Sequence, residues 1–143
     1  MHKRLLALLV AGAFASGAAL AQTPASGSMT ASEVRQALTE AGYTEVRDVE
    51  FDDGLWEADA TSGDGRRIDV RLDPATGKIY PDTATSALTA DDIKASLTAE
   101  GYANVRDVEF DDGLWKAEAD RNGRKVELRL DPEDGRVVTE RDD

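Results

Sequence analysis

The chain has 143 residues, with 29 acidic against 17 basic side chains, one histidine, no cysteine and a formal charge of −12. Without cysteine there is no disulfide framework, no thiolate zinc site and no thiol nucleophile. The negative charge repels phosphate backbones and anionic lipid headgroups, which argues against nucleic-acid binding and against membrane attachment through a basic patch.

The first segment reads as a targeting signal. Lys3 and Arg4 precede the apolar run Leu5 to Phe14, and Ala19-Leu20-Ala21 places small residues where signal peptidase needs them. Residues 1–21 are therefore expected to be a secretory signal, cleaved between Ala21 and Gln22. The Ala- and Gly-rich stretch Leu5 to Ala21 is shorter than the ~20 apolar residues of a membrane span, so no membrane anchor is expected after cleavage. The expected location is the periplasm or the exterior. Cleavage leaves 15 basic against 29 acidic side chains, a charge of −14, and removes the only histidine, His2. A mature chain with neither His nor Cys lacks the usual general base and the strongest nucleophile. It also carries no G-x-S-x-G, S-x-x-K, H-E-x-x-H or phosphate-binding glycine loop. No catalytic residues are expected.

Past a flexible leader, 22–29, the chain is one unit written twice. Residues 30–60 match 89–119 at 19 of 31 positions, including VRDVEFDDGLW at 46–56 and 105–115. After a one-residue gap, 65–79 match 123–137 at 7 of 15 positions. A match of this quality means duplication. The connecting run Tyr80 to Ala87 is short and polar and contains a proline. The division is a first repeat at 30–80, a linker at 81–87 and a second repeat at 88–140.

Each repeat opens with an expected helix of about 12 residues, three and a third turns. Thr30 with Glu33, and Thr89 with Asp92, form N-capping patterns. Val34, Ala37, Leu38 and Ala41, then Ile93 and Leu97, give an apolar stripe. Gly42 and Gly101 stand where a left-handed C-cap belongs, each followed by an apolar Tyr, Tyr43 or Tyr102. The remainder alternates with period two. Asp53-Gly54, Asp112-Gly113 and Asn122-Gly123 centre two-residue hairpins, and Ser62 to Gly65 is a longer turn with an expected bulge. DPATG at 73–77 and DPEDG at 131–135 turn into a short last strand. The expected fold class is α+β: two tandem repeats, each one helix packed on a three- to four-stranded antiparallel sheet.

Counting from the turns pairs Phe51 with Trp56 and brings Ala58, Ile68, Val70 and Leu72 to the same inward face. Trp56 and Trp115 are therefore expected in the core rather than on a ligand platform. One unit of this size is marginal alone. The two should pack together, with Leu55 and Leu114, which parity places outside the helix-covered face, available for that contact.

The order of helix, Gly-Tyr, V-x-x-V-E-F, acidic D-G turn, W-[EK]-A and R-L-D-P-x-x-G-[KR]-[IV] resembles the PepSY domain family. The resemblance rests on Gly42-Tyr43 and Gly101-Tyr102, Trp56-Glu57-Ala58 and Trp115-Lys116-Ala117, and Leu72-Asp73-Pro74 to Gly77-Lys78-Ile79 with its counterpart Leu130 to Val137. It covers nearly all of residues 30–140. It implies a non-catalytic module used outside the cytoplasm, occurring in propeptides of secreted metallopeptidases, with a protein partner such as a peptidase that it restrains. Residues 1–143 themselves contain no expected peptidase domain, a departure from the propeptide pattern.

On the outer face the same register puts Asp48, Asp59 and Asp69 in one row, and Asp107, Glu118 and Glu127 in another. Like charges across strands repel, so the rows point to a basic partner surface or a weakly bound divalent cation such as calcium. Calcium takes six to eight oxygens, more than three carboxylates readily supply, and no cofactor is expected. A bulge near Arg47-Asp48 would turn Asp48 off its row. The leading expectation is a protein-binding module; the alternative is a low-affinity cation-binding or envelope accessory protein.

Overall fold

The structure, a computed structural model, describes residues 29–143. The secretory signal, its cleavage point Ala21–Gln22 and all of the leader but Met29 lie outside the described residues. In chain order the elements are α1 (Ala31–Glu40), β1 (Thr44–Asp52), β2 (Leu55–Thr61), β3 (Arg67–Leu72), β4 (Ile79–Pro81), α2 (Ala90–Ala99), β5 (Ala103–Asp111), β6 (Leu114–Arg121), β7 (Arg124–Leu130) and β8 (Val137–Asp142). They make two four-stranded antiparallel meanders, β1-β2-β3-β4 and β5-β6-β7-β8, each with its helix on one face. Among the described residues no helix is long and apolar enough to cross a membrane.

The helix signals act as the sequence suggests. Thr30 Oγ1 accepts from Glu33 N–H at 3.2 Å while Glu33 Oε2 accepts from Thr30 N–H at 2.7 Å. Thr89 and Asp92 repeat the box. At the far end Gly42 takes φ +97°, Tyr43 N–H donates to Leu38 O at 3.0 Å and Gly42 N–H to Thr39 O at 3.1 Å, which satisfies the last carbonyls in a Schellman motif. Tyr102 and Gly101 make the same two bonds in α2.

Each helix presses two aliphatic side chains onto its sheet. Val34 and Leu38 bury against Ala58, Ala60, Ile68, Val70 and Leu72, and Ile93 and Leu97 against the equivalent set. The small Ala58 and Ala60, with Ala117 and Ala119, let the helix approach closely. Each aliphatic side chain so buried contributes about 1.5–3 kcal/mol.

The aromatic expectation needs correction in the first repeat. Phe51 pairs with Trp56 as counted, with ring centroids 5.3 Å apart. Trp115 is buried at 7 % exposure, but Trp56 is only half-buried and Phe51 is 53 % exposed. Trp115 is additionally covered by the connecting segment, where its Nε1–H donates to Ser86 Oγ at 2.9 Å.

The connecting run is more structured than its polarity suggests. Pro81, the first residue of the expected linker, pairs with Val70 in β4, and Tyr80 is buried at 1 % exposure. Tyr80 joins Leu55 and Leu114 in a third cluster, flanked by Val138, so the two leucines pack where the repeats meet. These four positions are equivalent in pairs, Leu55 with Leu114 and Tyr80 with Val138.

The contact between repeats therefore has pseudo-twofold logic, each copy offering the other the same patch. The tip of each first hairpin docks on the last strand of the other repeat, Gly113 beside Pro81 and Gly54 beside Thr139. Arg71 Nη1 donates to Asp112 O at 3.1 Å, and its counterpart Arg129 lies 3.9 Å from Asp53. Asymmetric contacts add to these. Asp131, 0 % exposed, accepts from Lys78 Nζ at 2.6 Å and from Tyr80 Oη at 3.0 Å. Burial alone would raise the Asp131 pKa, but Lys78, the Glu133 N–H and the Tyr80 hydroxyl outweigh it and hold it below the usual carboxylate range.

Candidate functional site

The helices leave the opposite face of each sheet uncovered, and the candidate residues stand there. Their arrangement depends on β1 and β5, which are not regular strands. Thr44 pairs with Thr61, Arg47 with Asp59 and Glu50 with Glu57, so three residues of β1 twice span two of β2. Each extra residue makes a bulge, with Glu45 and Asp48 at φ +49° and +50°. In β5 Asn104 and Asp107 take the same places. Asp and Asn tolerate this left-handed conformation better than most residues. The bulges coil the edge strands and blunt them as templates for further pairing.

This corrects the first acidic row. The partner of Asp59 is Arg47, not Asp48, and the partner of Glu118 is Arg106, not Asp107. Asp48 and Asp107 are instead the bulged residues. The other halves of the rows form as counted: Asp59 opposes Asp69 and Glu118 opposes Glu127. Asp48 nevertheless stays on the outer face, where it borders a shallow hollow of about 160 Å³ with Glu50, Glu57, Asp59, Asp69 and Arg71. The counterpart hollow on the second repeat, about 230 Å³, is bordered by Asp107, Glu118 and Glu127 together with Lys116, Arg129 and Arg141.

The two faces differ in how their charge is balanced. On the second, Arg106 Nε donates to Glu118 at 3.2 Å, Lys116 Nζ to Asp111 at 2.5 Å, and Arg141 clasps both Glu127 and Asp53. On the first, Arg71 Nε donates to Glu57 at 2.7 Å, while Asp59 and Asp69 face one another. The Asp69 carboxyl is pushed above its usual pKa by its hydrogen bond with Asp59, then by desolvation and by the charges of Asp59, Asp82 and Asp112. No group of three or more metal-ligating side chains among the described residues is arranged to hold a metal ion.

The cross-repeat ion pairs were not anticipated from the sequence. Their signal was the repetition itself, since Asp53 and Arg71 recur as Asp112 and Arg129 around the two leucines expected to meet.

A family model described as the peptidase propeptide and YPEB domain matches the chain twice in tandem, over residues 5–83 and 82–141. No curated protein and no solved structure matches it.

Proposed function

The chain belongs to the PepSY family of peptidase propeptide and YPEB domains, and from that membership we propose that it is an exported, non-enzymatic module that binds and restrains a peptidase. Domains of this family are propeptide and regulatory modules of extracytoplasmic proteins. The observation that carries the reading is the pair of helix-free sheet faces. Each is broad, polar and open, and the interface between repeats fixes one relative to the other. Rigid, solvent-facing strands present side chains to a partner at low entropic cost. The mature sequence offers no His or Cys for turnover of its own, which suits a stoichiometric binder.

The test is capture by tagged residues 22–143 from envelope and culture extracts, followed by an inhibition assay on any peptidase recovered. The expected result is loss of peptidase activity that saturates at a fixed molar ratio, with the module intact afterwards. Undiminished peptidase activity at a molar excess of the module would overturn the proposal.

A further inference from the structure

The duplication supplies an internal comparison at the aromatic end of each helix-covered face. The run VEFDDGLW is identical in the two copies, yet Phe51 is 53 % exposed whereas Phe110 is half-buried, and Trp56 is half-buried where Trp115 is 7 % exposed. Among the described residues Phe51 is the one exposed large hydrophobic side chain. What closes the second end is the segment that leads into α2. Ser86 Oγ accepts from Trp115 Nε1–H at 2.9 Å and from Leu88 N–H at 3.2 Å, and its hydroxyl donates to Pro132 O at 2.6 Å. That uses both acceptor sites and the single donor of the hydroxyl. Leu88 then packs against the core cluster to which Trp115 belongs.

The first repeat begins the same arrangement. Met29, the counterpart of Leu88, packs against the cluster that Trp56 joins, so the chain enters the described residues beside that tryptophan. Carried upstream, the match of 30–60 to 89–119 pairs Ala25 with Ala84 and Ser26 with Thr85. The second family match starts at residue 82, ahead of the Thr89 cap, so the lead-in to the helix belongs to the repeated unit.

We propose that the Phe51–Trp56 end of the first repeat is the docking seat of the chain's own residues 24–28, as the Phe110–Trp115 end is of 83–87. Five residues reach at most ~18 Å, enough to cross a ring pair whose centroids are 5.3 Å apart. Tethered through Met29, the segment acts at a high effective concentration that a second copy or a separate partner does not match. Gly27 stands where the second repeat has Ser86, so apolar contact rather than an indole hydrogen bond from that position holds the seat. The expected cleavage between Ala21 and Gln22 keeps the segment on the mature chain.

The experiment compares ¹⁵N-labelled residues 22–143 by NMR with a chain beginning at Met29 and with the double variant Ala25→Glu, Gly27→Glu, whose carboxylates resist desolvation against the rings. In both altered chains the Phe51 amide and Trp56 indole signals are expected to shift. The Trp56 indole proton should exchange about tenfold faster, ~1.4 kcal/mol of local protection, while Phe110 and Trp115 keep their signals and rates. Should the chain beginning at Met29 fail to fold, the double variant against wild type decides the matter. Unchanged Phe51 and Trp56 in the double variant, or equal changes in both repeats, would overturn the proposal. Phe51 and Trp56 signals that move on dilution of unaltered 22–143 would give the seat to a second copy and overturn it as well. Signals that move only when a captured peptidase is added would give it to that partner, with the same result.

Discussion

Three glycines hold nearly the same backbone conformation but meet different surroundings, so alanine at each separates local strain from the docking of the repeats. Gly113, Gly54 and Gly123 are each the second residue of a two-residue hairpin turn, at φ +81°, +83° and +78°. A Cβ in this region costs about 1–2 kcal/mol. At Gly123 it meets nothing within 4 Å, so Gly123→Ala should cost only that amount. At Gly54 it meets the Thr139 methyl at 3.1 Å, and a small shift of one side chain adds at most ~1 kcal/mol. At Gly113 it would lie 2.2 Å from Pro81 O and 3.0 Å from Pro81 C. Those are backbone atoms with no rotamer to escape into, and restoring an ordinary carbon–oxygen contact needs an opening of about 1 Å. An opening of that size forfeits a quarter to a half of the local dispersion contact. It would loosen the Leu55, Tyr80 and Leu114 cluster and the Arg71–Asp112 pair, so Gly113→Ala should cost about 3–5 kcal/mol in all. Urea unfolding followed by tryptophan fluorescence measures all three. A Gly113→Ala cost within about 0.5 kcal/mol of the Gly123→Ala cost would refute the close docking of this turn on β4.

Lys78→Met leaves buried Asp131 with the Tyr80 hydroxyl, the Glu133 N–H and Arg136 at 3.7 Å. The loss should fall near the lower end of the ~3–5 kcal/mol for a broken buried pair, and Lys78→Met unfolding like wild type would count against a cross-repeat latch. The raised pKa of Asp69 makes its ionisation unfavourable in the folded state, so its contribution to stability grows as pH falls from neutrality through that folded pKa. Melting temperature should rise on mild acidification, and Asp69→Asn should flatten the rise; an unchanged slope would dismiss the Asp59–Asp69 pair as its source. Asp131 acts in the opposite sense, its stabilisation being lost as pH falls through its lowered folded pKa. The Tyr102 phenol, pushed up to about 12 by burial and then by its bond to Glu140, should ionise later than Tyr43 in an absorbance titration, and Glu140→Gln should narrow the gap.

The periodicities legible in the sequence were those governed by short-range rules. Caps, turn dipeptides and alternation placed both helices and the hairpin registers of β2 with β3 and of β6 with β7, because each follows from local dihedral preferences and a fixed count from a turn. The register of β1 was the failure, and its sign was present: Val46 and Val49 are three residues apart where an unbroken strand needs two or four. That step requires a bulge if both are to face the helix, and Asp48 supplies its left-handed residue. The burial of Tyr80 was not legible, since a polar run with one proline carries no local mark of the surface it will meet. The same applies to Phe51, whose exposure contrasts with the half-buried Phe110 of an identical local sequence.

The pattern of sameness between the repeats follows what each surface must satisfy. At a pseudo-twofold contact a residue must serve both as itself and as its own counterpart's neighbour, which favours the same residue in both copies. Asp53 and Asp112, Leu55 and Leu114, and Arg71 and Arg129 obey this at the hairpin tips and the strands they meet. The last strands escape it, Tyr80 against Val138 and Pro81 against Thr139, because β4 must lead into the connection whereas β8 runs on to Asp142. That continuation is what delivers Arg141 to Glu127 and Asp53. The difference in charge between the outer faces therefore follows from substitutions: Glu57 stands where the second repeat has Lys116, and Asp82, whose N–H donates to Asp69 O at 2.9 Å, stands beside the first row where Arg141 stands opposite Glu127.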